Sequence, residues 1–160
     1  MKQITWIAVA LMSSLAFADG HKELAWDAAL TGEHRSEGNK ARDAARRPQE
    51  TLTFFGLTPD MTVLEVSPGG GWYGGILAPL LEEQGRMIAG HASPNSSAYG
   101  RRSLGGYLQK LGADNDVYSA VDVRVMQPPA MPINVEAGTV RMASVCRNVH
   151  SRRGAASEEG

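Results

Sequence analysis

Apolar residues in this chain come in short bursts punctuated by glycine and proline, with no single sustained period. The clearest burst is Thr62-Val-Leu-Glu-Val66, largely β-branched and apolar, which predicts a buried strand. Residues 67–71 follow as a glycine-rich turn, and Trp72, Ile76, Leu77 and Leu80 then fall at helical spacing. Gly74 and Gly75 each cost about 1 kcal/mol relative to alanine in such a helix, and Pro79 is expected to kink or end it. Strand, glycine turn and helix together open a doubly wound α/β sheet, in which ligands bind beyond the carboxyl ends of the strands.

The flanking pattern extends this reading. Residues 19–47 are polar, with Leu24, Trp26 and Leu30 as scattered anchors, and 36–47 predict a helix carrying Lys40, Arg42, Arg46 and Arg47. Such a basic face is either solvated or, with His34, Arg35 and Arg42, closes over an acidic group. Pro48 suits the first position of a further helix, with Leu52, Phe54 and Phe55 as apolar contacts and Gly56 as its cap. Beyond the glycine turn, strands are expected over 86–90, 117–125 and 139–145, a helix over 101–111 and a rigid proline link over 127–132.

Candidate chemistry centres on Glu65. Gly69-Gly-Gly-Trp-Tyr-Gly74 satisfies a literal G-x-G-x-x-G, a weak signal by itself that a structural tight turn also explains. A nicotinamide-type turn needs no acid before it, whereas an S-adenosylmethionine site commonly has acid-x-Gly-x-Gly-x-Gly. Glu65-Val-Ser-Pro-Gly-Gly-Gly71 fits that pattern with Ser67 in the first glycine slot.

The run 33–79, with His34-Arg-Ser36, Asn39-Lys-Ala-Arg-Asp43 and Phe54-Phe-Gly-Leu57 leading into the glycine turn, resembles a family of exported bacterial class I methyltransferase-like proteins. Arg147-Asn-Val-His150 resembles that family's segment after the fourth strand. The resemblance implies a Rossmann-like class I methyltransferase fold of the α/β class. It is incomplete here, with about four of the usual seven strands. It also implies S-adenosylmethionine at Glu65, Ser67, Pro68, Gly69, Gly70, Gly71 and Trp72, and a small-molecule methyl acceptor that the chain does not identify. Trp72 and Tyr73 either stack on the adenine or pack on the sheet. The second strand ends in Gly90-His-Ala-Ser93 where such proteins usually have an acid. His91 is thus either a ribose contact or a surface histidine. Asn148 and His150 are candidates to orient a nucleophile or take its proton, with a structural histidine as the alternative.

Composition narrows the field. The chain has 160 residues, 42% of them hydrophobic, with a formal net charge of −1, which calls for neither nucleic acid nor an anionic membrane. Cys146 is the sole cysteine, so no intrachain disulfide forms. The four histidines lack metal-ligand spacing, so no metal is expected. Lys2, the apolar run 4–15 and Ala16-Phe-Ala18 predict a signal peptide over 1–18, cleaved after Ala18 to give a periplasmic or secreted protein with no remaining membrane contact. The domain is then expected over 19–150. Residues 151–160 have no apolar side chain larger than alanine and predict a disordered tail, as though the chain were cut short after His150. A sheet so shortened would expose an edge open to self-association. The alternatives to a methyltransferase-like protein are a non-catalytic or vestigial binding module and a NAD- or FAD-type oxidoreductase fragment.

Overall fold

Four parallel strands, β1 (Thr62–Val66), β2 (Arg86–Ala92), β3 (Val121–Met126) and β4 (Met142–Ser144), form a sheet in the order β3-β2-β1-β4. This is a computed structural model, and it describes residues 23–146. The expected signal peptide, Asn148, His150 and the expected tail lie outside the described residues. The helices are α1 (Trp26–Thr31), α2 (Glu37–Lys40), α3 (Asp43–Arg46), α4 (Pro48–Phe54), α5 (Gly74–Leu81), α6 (Ala98–Ala113) and α7 (Asn115–Tyr118). A mixed α/β chain with a parallel sheet in this order is compatible with a Rossmann-like fold. The strand order reverses direction between β1 and β4, and open α/β sheets bind ligands at such a switch point.

Register decides which side chains meet. Val63 lies beside Met87 and Met142, and Glu65 beside Ala89 and Ser144, so these residues share one face of the sheet with His91 and Val121. That face packs on Ile76, Leu77, Leu80 and Leu81 of α5, joined by Leu52, Leu57 and Tyr118. Burying each large aliphatic side chain contributes roughly 1.5–3 kcal/mol. On the opposite face, Leu64 and Ile88 are buried, and Ile133 reaches so close that a Cβ on Gly90 would lie 2.9 Å from its Cδ1. The outer edge of β4 has no partner strand among the described residues.

Several elements differ from the sequence expectation, each for a local reason. The helix expected over 36–47 is two short ones. The Asn39 carbonyl, which a continuous helix would offer to the N–H of Asp43, instead accepts from the Trp72 indole N–H at 2.9 Å and from Arg42 N–H at 3.2 Å. Arg47 then turns left-handed (φ 43°), ending α3 just before Pro48, whose ring disfavours continuing the right-handed helix through the residue before it. α4 ends as expected at Gly56 (φ 74°), with Gly56 N–H donating to Thr53 O and Leu57 N–H to Leu52 O. Phe54 and Phe55, however, are 84% and 65% exposed and pack on each other rather than on the core. Val117 and Tyr118 belong to α7, because their N–H groups bond to Asp114 O, and β3 begins only at Val121. β2 runs two residues beyond the expected strand and so includes His91.

Pro79 neither ends nor breaks α5. Its missing N–H would have bonded to the Gly75 carbonyl four residues earlier. That carbonyl accepts from His34 Nε2–H at 2.7 Å, so a side chain from the lead-in segment replaces the lost backbone bond. His34→Ala should therefore cost about 1–2 kcal/mol in urea unfolding. In a Pro79→Ala background, where residue 79 again offers an N–H, the same change should cost about 1 kcal/mol less. Equal costs in both backgrounds would refute the replacement.

Candidate functional site

The turn after β1 has an alternating backbone. Ser67, Gly69 and Gly71 all have left-handed φ, at 55°, 58° and 67°. These are the three slots of the acid-x-Gly-x-Gly-x-Gly pattern. Ser67 bears the strain of holding a side chain there, about 1 kcal/mol, and its N–H bonds to Gly90 O at 2.7 Å, tying the turn to β2. Pro68 is buried beneath the turn and Gly70 is exposed at its tip. Gly71 N–H closes the turn on Pro68 O, and Gly75 N–H bonds to Gly71 O as the backbone enters α5.

Glu65 is 3% exposed on the helix-covered face, just before this turn. Burial pushes its carboxyl up to about 7, against the opposing pull of the Lys110 ammonium and a hydrogen bond from Gly74 N–H. Oε2 has no hydrogen-bond partner, and neither do the buried Tyr107 hydroxyl and His91 Nε2. The three groups are neighbours. A Cβ on Gly74 would lie 3.1 Å from Tyr107 Oη and 3.4 Å from Glu65 Oε2, and the Tyr107 and His91 ring centroids are 4.5 Å apart. Burial pushes His91 down to about 4, so it is neutral at pH 7. Burial also raises Tyr107, and takes Tyr118 up to about 12, so both phenols stay protonated.

Lys110 closes the cluster. Its Nζ donates to Gly71 O at 2.7 Å and sits 5.3 Å from the centre of the Tyr118 ring. Burial lowers its pKa, while the Glu65 carboxylate opposes that shift. Tyr107 and Lys110 both come from α6, three residues apart on one helix face. No local pattern in the sequence marks them, because their partners are on the glycine turn of another element.

Of the residues expected at the site, Glu65, Ser67, Pro68, Gly69, Gly70, Gly71 and His91 cluster at the carboxyl ends of β1 and β2. His91 is a buried strand residue, not a surface one. Trp72 points away from the mouth of the sheet. Its ring meets Tyr73 edge-on at 4.6 Å, lies under the Arg46 guanidinium at 4.5 Å and gives its N–H to Asn39. Packing, rather than stacking on a ligand, describes its surroundings. Arg35 is also internal: it forms a two-pronged ion pair with Asp43, both contacts at 2.7 Å, and bonds Leu30 O. Arg42 is solvated. Thus His34 and Arg35 meet the start of α5 at Gly75, Asn39 holds the Trp72 ring just before it, and Tyr107 and Lys110 close on Gly71, Gly74 and Gly75. On the β4 side, burial and a hydrogen bond with Cys146 take Tyr73 up to about 12.

No family model matches the chain, and no curated protein matches it. Among the described residues, no group of three or more His, Cys, Asp or Glu side chains could hold a metal ion, and no helix is long and apolar enough to cross a membrane.

The buried pair Glu65 and His91 gives the site a testable pH signature. Glu65, raised from 4.5 to about 7, contributes stability that is complete below pH 4.5 and is lost as pH rises through 7. His91, lowered from 6.5 to about 4, contributes stability that is complete above pH 6.5 and is lost as pH falls through 4. Between these limits the two slopes, each about 1.4 kcal/mol per pH unit, oppose each other, so wild-type stability should be nearly flat across the window. Glu65→Gln should make stability rise with pH there, and His91→Asn should make it fall. Denaturant titrations at several pH values would read this directly. Two variants as flat as wild type would contradict the assignment.

Proposed function

We propose that this chain is an S-adenosylmethionine-dependent methyltransferase-like protein, exported by its N-terminal segment, with the cofactor site at the carboxyl ends of β1 and β2. The observation that carries this reading is the alternation of left-handed residues at 67, 69 and 71 directly behind the buried carboxyl of Glu65. α5 starts just beyond that turn at the carboxyl end of β1, and the N-terminus of a helix stabilises a negatively charged or polar group. Glu65 Oε2, with no partner of its own, is an acceptor for a donor brought by a ligand. The residues present therefore fit a zwitterionic ligand with both an anionic and a cationic end. The bound cofactor would supply an electrophilic methyl group on sulfonium sulfur.

The protein's task in such a transfer is to hold the acceptor in line and to remove its proton. Asn148 and His150, which follow β4 in the sequence, are the groups we assign to orienting the acceptor and taking that proton. The acceptor itself is a small molecule of unassigned class.

One observation favours a second reading, a dinucleotide-binding turn. A Cβ on Gly74 would crowd Met87 Cε at 3.2 Å and Glu65 Oε2 at 3.4 Å, the close helix–strand packing that the last glycine of G-x-G-x-x-G provides. The buried acid and left-handed Ser67 have no part in that motif, so the first reading stands ahead. Calorimetric titration with S-adenosylmethionine and with NAD separates them. Wild type should bind S-adenosylmethionine, and Glu65→Gln should weaken it by about tenfold or more while leaving any NAD affinity unchanged. Binding of NAD alone would overturn the methyltransferase reading.

A further inference from the structure

The sixteen-residue helix α6 is anchored mainly through its second half, where Leu111 packs against the core and Lys110 bonds the glycine turn. Only Gly100 and Tyr107 are buried along it, while Tyr99 and Leu108 are 69% and 49% exposed. Its interior contains Gly105 and Gly106 in adjacent positions and Gly112 near its end, and a Cβ at any of the three would meet nothing within 4 Å. Packing does not require these glycines, yet each weakens the helix relative to alanine. A weak point thus lies between the N-terminal half, fixed by the Ser97 cap on Gly100 N–H, and the half bearing Tyr107 and Lys110.

That second half touches the glycine turn directly. Lys110 Nζ binds the Gly71 carbonyl at 2.7 Å, and the Tyr107 ring lies where a Cβ on Gly71 would be 2.8 Å from Cε2. Together they cover the side of the turn that faces Glu65. The covering is imperfectly matched, because its own Tyr107 hydroxyl is buried with no partner and so are Glu65 Oε2 and His91 Nε2 beneath it. Buried polar groups without partners favour any conformation that returns them to water or to a ligand. Such a contact is unlike a settled core.

We propose that α6 is a hinged gate: it bends at Gly105–Gly106, and its Tyr107–Lys110 clasp must lift from Gly71 before a ligand reaches Glu65. The inference rests on the ligand reading above, and it adds control of access to that site. Lifting uncovers Glu65 Oε2 and His91 Nε2 and returns the Tyr107 hydroxyl to water, so a ligand that satisfies the two strand groups is bound by the open form and shifts the population toward it. Association is then limited by the fraction of open molecules.

Amide exchange followed by mass spectrometry on the full chain, without ligand, tests the gate itself. Lys110→Met preserves side-chain length and helix propensity but removes the bond to Gly71. It should speed exchange over residues 71–76 by about tenfold while β1 and β2 keep their rates. Gly105→Ala/Gly106→Ala stiffens the hinge and should slow the same amides by about tenfold. No change in either variant, or a change shared equally by β1 and β2, overturns the gate. Stopped-flow tryptophan emission during S-adenosylmethionine binding then tests its consequence: association should quicken in the first variant and slow in the second. Identical association rates in all three proteins overturn the gate. The expected exchange pattern in a wild type that binds no S-adenosylmethionine upholds the gate and overturns the choice of ligand.

Discussion

Everything at the carboxyl end of this sheet depends on how closely the start of α5 approaches β1 and β2. Gly74 permits that approach, since a side chain there would press on Met87 and Glu65, while Gly71 and Gly75 let Tyr107, Lys110 and Tyr118 close over the same segment. The closeness removes water from Glu65, and removal of water raises its carboxyl to about 7. One steric fact thus produces an electrostatic one. A carboxyl that half-ionises near neutrality can accept a hydrogen bond in one state and donate in the other, a versatility absent from an exposed glutamate.

The same approach leaves α5 short of partners along its own backbone, and the neighbouring elements complete it. His34 takes the Gly75 carbonyl orphaned by Pro79, and Lys110 adds a second donor to the Gly71 carbonyl, which already accepts from Gly75 N–H. The lead-in segment is fastened in turn by the ion pair of Arg35 with Asp43 and by the Trp72 indole on Asn39. A buried arginine with a two-oxygen partner loses much more when one member is removed than a surface pair does. The polar stretch before β1 is therefore part of the scaffold of the site, even though it contributes few apolar side chains.

Features set by a few consecutive residues were legible in the sequence. β1, the proline start and glycine end of α4, and the glycine turn all follow from local chemistry and appear where expected. Features set by a distant partner were not. The break at Ala41–Arg42 depends on Trp72, the uninterrupted α5 on His34, and the burial of His91 on a strand two residues longer than its apolar core. Tyr107 and Lys110 could not be read as site residues, since on α6 they look like one aromatic and one cation among many polar positions. The resemblance implied a ligand-facing Trp72, with packing as the alternative, and the lead-in segment claims its ring.

The position of β1 also has a consequence for the order in which the protein assembles. Val63 is flanked by Met87 on one side and Met142 on the other. During synthesis β1 can pair with β2 soon after both have emerged, but its β4 side must wait for a far longer stretch of chain. At about 5–20 residues per second that wait is on the order of several seconds. Throughout it, the strand bearing Glu65 offers an open edge on its β4 side, so that side of the sheet is the last to mature.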